Sequence, residues 1–354
     1  MKTVKLGYLV EFRNGQDAKK VESPEGEYPI IGSGGEFARA TAYLHDGESI
    51  LFGRKGTIDR PLHIDGRFWT VDTMYYTRIR PEAFGRYLYY WATTIPFNQV
   101  STQTALPSMT SFTLSQLRVP LPDLPTQRRI ADYLDRETAQ IDAMAGALDG
   151  LVARLEERHS SLSRQHIETA REHYPFTQVK FVADITTGTG DTQDATETGY
   201  PFYVRSNTPV FSSDWEFEGD AVLTAGDGAG VGRVYHLATG RFRAHQRVYV
   251  IHNFRAITPK YFLHVFRALF PYSVLSGNAQ TTVPSVRLHM ISDLRIPLPP
   301  LDEQRRIADH LDAETAKIDA MIAKAGQLRA LLDERRSALI TATVTGQHPV
   351  PEEP

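Results

Sequence analysis

One segment of this chain occurs twice and decides its fold. The first copy reads Gln127-Arg-Arg-Ile-Ala-Asp-Tyr-Leu-Asp-Arg-Glu-Thr-Ala-Gln-Ile-Asp-Ala-Met144, and the second reads Gln304-Arg-Arg-Ile-Ala-Asp-His-Leu-Asp-Ala-Glu-Thr-Ala-Lys-Ile-Asp-Ala-Met321. Around them, Leu106–Leu162 aligns without a gap on Val283–Leu339 at an offset of 177 residues. About 30 aligned positions are identical, which identifies an internal repeat. The 354 residues therefore predict one unit present in two copies.

Apolar residues run through each copy at spacings of three, four and seven, the pattern of a coiled-coil helix. Prolines before each copy, such as Pro122 and Pro299, predict where the helices begin. The predicted seam comprises Ile130, Leu134, Ile141, Leu148 and Leu155 in the first copy, and Ile307, Leu311, Ile318, Leu328 and Leu332 in the second. We expect the two helices to pair antiparallel; the alternative is that each packs only on its own module.

Upstream of each helix lies a more divergent module of mixed character. Strand-like runs such as Ser49–Phe52 and Ala221–Thr224 are separated by glycine clusters, and an aromatic helix follows in each module. The sequence thus predicts an α+β fold, with two mixed α/β modules separated by a pair of long antiparallel coiled-coil helices in a pseudo-twofold repeat. The predicted divisions are 1–125, 126–170, 171–301 and 302–354.

Composition restricts the class of protein. The chain has no cysteine, which excludes disulfides, thiolate metal sites and cysteine nucleophiles. It has no signal-like start and no apolar stretch long enough to cross a bilayer, so we expect a cytoplasmic protein without membrane contact. The net charge of −3 is unfavourable for binding nucleic acid, but residues 228–292 and 83–122 contain no acidic residue.

No motif in the sequence indicates catalysis. The glycine clusters match neither a dinucleotide fingerprint nor a P-loop, and we interpret them as tight turns, with a ligand-contacting loop as the alternative. The histidines lack metal-ligand spacing, and no nucleophile elbow is present, although a catalytic triad built from distant residues stays open. We therefore expect no metal, no cofactor and no catalytic residue in this chain.

The modules do contain side chains suited to DNA, because arginine reads guanine, glutamine reads adenine and hydroxyls contact phosphates. The run Arg241, Arg243, His245, Gln246 and Arg247 is predicted to alternate along a strand. The full set of candidate DNA-binding residues is Arg39, Arg54, Lys55, Arg67, Thr102, Gln103, Thr104, Ser108, Arg205, Asn207, Arg233, Arg241, Arg243, His245, Gln246, Arg247, Gln280, Thr281 and Arg287.

The doubled motif Leu294-Arg-Ile-Pro-Leu-Pro-Pro-Leu-Asp-Glu-Gln-Arg-Arg-Ile-Ala308 closely resembles the specificity (S) subunit of type I restriction-modification enzymes. The opening Val4-Lys-Leu-Gly and Tyr28-Pro-Ile-Ile-Gly-Ser-Gly-Gly35 are similar to the start of that family's target-recognition domains. The resemblance covers essentially the whole chain, which is shorter than many full-length members, so its recognition domains are compact.

This resemblance implies a non-catalytic subunit that binds double-stranded DNA, each module reading one half of a bipartite target. The helices would set the half-site spacing and dock two methyltransferase (modification) subunits, which carry S-adenosylmethionine; restriction subunits would complete the phage-defence complex. Phe52-Gly-Arg-Lys-Gly56 and Thr224-Ala-Gly-Asp-Gly-Ala-Gly230 differ, which favours an asymmetric target. The alternative is a scaffold in which two carbohydrate- or peptide-binding modules sit on a coiled-coil spacer.

Overall fold

The computed structural model describes residues 2–102, 107–277 and 285–351. The chain forms two compact units, the first made of Met1–Leu148 with Gly326–Pro354 and the second of Asp149–Ala325. Each unit therefore contains one module and half of each long helix. This grouping differs from the four sequence-based divisions (1–125, 126–170, 171–301 and 302–354), which stay a prediction.

Within the residues that the structure describes, the first module has ten strands and three short α-helices, besides one 3-10 turn at Leu6–Tyr8. They are β1 Thr3–Lys5, β2 Val10–Asn14, β3 Tyr28–Gly32, β4 Gly35–Ala40, β5 His45–Asp46, β6 Ser49–Gly53, β7 Leu62–Ile64, β8 Arg67–Thr70, β9 Met74–Ile79, β10 Arg118–Pro120, α1 Gly85–Ala92, α2 Phe97–Val100 and α3 Ser111–Gln116. The strands form two four-stranded sheets, ordered β2-β9-β6-β7 and β4-β3-β8-β5, and a separate two-stranded sheet, β1-β10. Only β3 and β8 run parallel among these neighbours.

A 50-residue helix, α4 (Leu124–His173), leads into the second module. The remaining elements are β11 Phe176–Gln178, β12 Asp184–Thr187, β13 Tyr200–Tyr203, β14 Val210–Ser212, β15 Phe217–Glu218, β16 Ala221–Ala225, β17 Tyr235–Ala238, β18 Arg241–Ala244, β19 Val248–His252, β20 Arg295–Pro297, α5 Val179–Val182, α6 Pro259–Gly277, α7 Leu288–Ser292 and α8 Leu301–Val344. The sheet orders β12-β19-β16-β17 and β14-β13-β18-β15 repeat those of the first module. The predicted duplication is therefore a duplication of topology.

The aromatic helices belong to the cores of their modules. Tyr87 and Tyr90 of α1 are almost fully buried, as are Tyr261, Phe262 and Phe266 of α6. Burial of such large rings contributes strongly to stability. The regular spacing of these aromatics thus reflects packing rather than a stacking platform for bases.

The long helices pair antiparallel in each unit. In the first unit Tyr133 contacts His348, just beyond the end of α8, and Asp142 contacts Arg336 of α8. The number of the partner residue therefore falls as the number along α4 rises. In the second unit His159 lies 3.6 Å from Asp319 and the rings of His166 and His310 lie 5.7 Å apart, so the partner number again falls as the α4 number rises. This pairing confirms the predicted fold class. In the described part of the chain, no helix combines the length and apolar character needed to span a bilayer.

Burial along the helices follows one face of the apolar stripe. The predicted seam residues Ile130, Leu134, Ile141, Leu155, Ile307, Leu311 and Ile318 are buried, and Leu148 and Leu332 are half-buried. Leu328 is instead 44% exposed, while the next residue, Arg329, and Ile322 one heptad before Arg329 are half-buried. One residue along a helix turns the side chain by about 100°, so the contact face includes position 329 rather than 328.

A buried glutamine fixes each long helix to its module. The Gln304 amide donates to the carbonyls of Ala256 and Pro299 and accepts from the Thr258 N–H. Gln127 makes the same three contacts with Glu82, Pro122 and Phe84. Both glutamines are fully buried, which gives the repeated Gln-Arg-Arg motif a structural reason.

A carboxylate about two turns further along the helix provides a second anchor. Asp135 accepts hydrogen bonds from Arg86 and Tyr90, and burial raises the pKa of Tyr90 to about 12. In the second unit Asp312 accepts instead from Lys260 and His264. Burial lowers the pKa of His264, although its contact with Asp312 works in the opposite direction.

We predict that Gln304→Leu destabilises the second unit severely. The substitution nearly preserves volume but leaves one buried N–H and two carbonyls without their partner, and each such loss costs about 1–3 kcal/mol. A loss of about 3 kcal/mol or more in the free energy of unfolding is expected by chemical denaturation. The control Gln165→Leu, at an exposed position of α4 in the same unit, is expected to change it by under about 0.5 kcal/mol. Equal losses in the two variants would refute this role of Gln304.

We also predict that His264 makes the protein acid-sensitive. The pKa of His264 in the folded state lies below the usual 6.5, so the unfolded state binds the proton more readily. Stability is therefore lost as the pH falls below the unfolded-state pKa toward the folded-state pKa. The variant His264→Tyr introduces the side chain that the first unit has at the equivalent position, Tyr90. It should reduce the loss of Tm between about pH 7.5 and about pH 5.5. An identical Tm loss in both proteins would contradict the prediction.

Candidate nucleic-acid interface

The first candidate surface is the loop that follows β6. Arg54 extends the strand: its N–H donates to the Thr73 carbonyl at 2.7 Å, and its own carbonyl accepts from the Met109 N–H at 3.0 Å. Gly53 is required by close packing, because a Cβ there would lie 2.2 Å from the Thr57 carbonyl oxygen. The loop therefore presents Arg54 and Lys55 from a fixed backbone.

The structure brings four of the predicted residues together at this loop. Lys55 pairs by a β-bridge with Ser108, and Ser108 pairs in turn with Thr102. The hydroxyls of Thr102 and Ser108 lie 2.8 Å apart. The guanidinium of Arg54 lies 5.9 Å from the centre of the Tyr75 ring, a cation–π arrangement. The exposed Lys55 ammonium forms no ion pair with any residue that the structure describes.

The second module repeats this backbone framework. The N–H of Gly226 donates to the Arg247 carbonyl, and its carbonyl accepts from the Val286 N–H. The hydroxyls of Tyr75 and Tyr249 donate to the equivalent carbonyls of Met109 and Val286, at 3.3 and 3.2 Å.

These contacts fix how the two loops correspond. Gly226 occupies the place of Arg54, and Arg247 that of Thr73. Asp227 occupies the place of Lys55, since it forms the matching bridge to Ser285.

Asp227 gives the second loop a different electrostatic character. Its two carboxylate oxygens accept from Arg205 at 2.7 Å and from Arg247 at 2.6 Å. Partial burial alone would raise the pKa of Asp227, but the two arginines hold it below its usual value. The predicted residues Arg205 and Arg247 are thus brought together by a carboxylate that sequence reasoning missed. Asp227 was visible as the charged residue between Gly226 and Gly228, but loop-length differences obscured its match to Lys55.

The predicted run 241–247 is not one continuous strand. Strand β18 ends at Ala244, and a turn leads into β19. His245 is 3% exposed, and burial lowers the pKa of its ring, which stacks on Phe202; it supports the turn from inside rather than making the exposed contact predicted. Arg243 pairs with Asp194, and Gln246 donates to Asp191, so both are tied to one short turn.

The remaining candidates lie apart from these loops or carry no contact that groups them. Arg39 pairs with Glu36, Arg67 with Asp46 and Arg241 with Glu218, all on exposed parts of the other sheet of their module. Asn207, Arg233 and Arg287 are exposed. Gln103, Thr104, Gln280 and Thr281 lie outside the described residues.

The comparisons with known proteins identify the family. Residues 1–151 and 174–328 match the model of the type I restriction modification DNA specificity domain. The chain belongs to this family. The match covers both modules, as the duplicated topology requires.

Curated relatives show the same affiliation over shorter segments. The chain is 30% identical over 172 residues to the type I restriction enzyme EcoDI specificity subunit of Escherichia coli, a match covering 46% of this chain and 36% of the relative. It is 35% identical over 75 residues to the EcoBI specificity subunit of the same organism, covering 21% and 16%. The matched segments thus span about a third or less of these relatives.

Solved structures share the fold across the whole chain. A chain from a study of complex assembly and conformational transition in the type I R-M system aligns with a TM-score of 0.69 and 16% identity, covering 97% of both chains. The HsdS subunit from Thermoanaerobacter tengcongensis aligns with a TM-score of 0.52 and 16% identity, covering 98% of this chain and 97% of that one. A specificity-subunit fold is therefore retained at low sequence identity.

We predict that Gly53→Ala disrupts the first loop. The added methyl would overlap the Thr57 carbonyl, so backbone must move, at a cost of about 1–3 kcal/mol in the free energy of unfolding. The control Gly34→Ala, whose methyl would meet no atom within 4 Å, should leave stability within about 0.5 kcal/mol. Thermal denaturation compares the two variants, and equal stability would show that Gly53 is not sterically required.

Proposed function

We propose that this chain is the DNA sequence-recognition subunit of a type I restriction-modification complex. The observation that carries the proposal is a shared backbone framework that presents different charges in the two modules. Lys55 is an exposed cation in the first loop, whereas Asp227 joins two arginines in the second. Two copies of one recognition module that differ in the side chains of this loop would recognise two different half-sites.

The target would accordingly be bipartite and asymmetric. Lysine and arginine contacts to phosphates would supply affinity and orientation, and side chains of the two loops would supply the sequence preference. The antiparallel helix pair would set the spacing between half-sites. The scaffold alternative, with carbohydrate or peptide ligands, is not favoured, because the matched family is a DNA specificity domain.

The long helices provide support for docking two partner subunits. Apolar side chains at equivalent positions of the two copies, Met144 with Met321 and Leu151 with Leu328, are between 39% and 46% exposed. Exposed apolar rows of this kind are typical of surfaces that bind other proteins. Because the row is repeated, it would bind two copies of one partner, the methyltransferase subunit.

The chemistry would reside in the partners. The methyltransferase subunits would bind S-adenosylmethionine and modify DNA, restriction subunits would join the full complex, and this chain would contribute recognition without catalytic residues. Because the complex would act on the DNA of the cell, we expect it in the cytoplasm.

We predict that each loop controls only one half-site. Arg54→Ala should weaken binding of the complex when the first half-site is intact and have no further effect once it is scrambled; Arg247→Ala should behave likewise for the second. A single lost base contact costs about 1–3 kcal/mol, a factor of about 5 to 150 in affinity.

Competition binding with targets scrambled in one half measures these effects. The control Arg80→Ala removes an exposed arginine at the opposite end of β9, about 20 Å along the strand from the loop, and should change affinity little. Equal weakening of both halves by either loop variant would refute the assignment.

A further inference from the structure

The position shared by Lys55 and Asp227 reverses its charge between the modules. The bridges to Ser108 and Ser285 and the matching hydrogen bonds of Arg54 and Gly226 establish that the two residues are equivalent. A carboxylate beside a phosphate backbone is unfavourable, so an acidic residue on a DNA-binding loop needs a physical reason. The neighbours of Asp227 supply that reason.

The charge reversal is accompanied by a second change at the adjacent strand end. Where the first module has Thr73, the second has Arg247, which donates to Asp227 at 2.6 Å. Arg205, from the segment after β13, donates to the other carboxylate oxygen at 2.7 Å. One carboxylate thus restrains two cations that reach it from separate strand ends.

Exposure distinguishes the roles of the three side chains. The Asp227 side chain is 22% exposed, whereas those of Arg205 and Arg247 are 42% and 58% exposed. A guanidinium has five N–H donors, so each arginine retains outward donors while it binds the carboxylate. Each guanidinium is restrained through one Nη1 contact, and its other donors stay available for bidentate reading of the guanine O6 and N7 atoms.

We propose that Asp227 is a positioning residue that orients Arg205 and Arg247 to read guanine in the second half-site, whereas Lys55 makes its contact directly in the first. This inference rests on the proposed function and deepens it. The second half-site should depend on guanine through oriented arginines, whereas the compact lysine ammonium lacks a planar donor pair and discriminates less between bases.

The test uses the full chain assembled with its methyltransferase subunits and a library of duplexes randomised in both half-sites. Three variants are compared with the unmodified chain: Asp227→Asn, Asp227→Glu, and Lys55→Gln as the matched loss of charge in the other loop. Selection for binding followed by sequencing gives the base preference in each half-site, and a thermal melt reports folding.

We expect Asp227→Asn to lower the guanine preference of one half-site about tenfold, with the other half-site unchanged. Affinity for scrambled DNA should stay equal or rise, because a negative charge is removed near phosphates. A merely structural defect would lower both affinities together. Asp227→Glu should restore part of the preference, and Lys55→Gln should affect only the opposite half-site.

An unchanged base preference in Asp227→Asn, or equal loss in both half-sites, would overturn the role of Asp227. A second half-site without guanine would overturn the assigned base. If the unmodified complex selects no bipartite sequence, the proposed function itself fails, and this result is distinct from the failure of Asp227 alone.

Discussion

The structure depends on covering the apolar stripe of a 50-residue helix. An amphipathic helix of this length is not stable alone in water with its apolar face exposed. In the first unit, residues of α4 up to Leu148 pack with α8 residues from Gly326 onward, and the core that contains Ile130 and Leu134 also contains Ile340 and Val344. The first module is therefore completed by the last helix of the chain.

The same constraint explains which residues the repeat keeps and which it changes. Positions that join helix to module keep their chemistry. Gln127 and Gln304 make equivalent amide hydrogen bonds. Asp135 and Asp312 each accept hydrogen bonds from one basic side chain and one ring-bearing side chain. In the loops that contain Lys55 and Asp227, only the backbone hydrogen bonds are shared between the modules. Their side chains can diverge without disturbing the core, which separates stability from recognition.

The regular parts of the fold could be predicted from the sequence, because periodicity and repetition are local signals. Strands such as Ser49–Gly53 and the long helices appear near their predicted places, and the aromatic helices are core. The site was harder to predict. Asp227 pairs with two arginines, Arg205 and Arg247, that come from strand ends distant in sequence. The burial of His245 depends on a turn, which the alternation of residues along a predicted strand does not reveal.

The central claim is that two copies of one recognition module recognise two different DNA sequences. Sequencing of methylated DNA from cells that express this chain with its methyltransferase subunit tests it most directly. The account predicts modified bases within a single bipartite motif whose two specified halves differ and are separated by a fixed spacer. A continuous motif, a motif with two identical halves, or methylation that does not depend on this chain would contradict it.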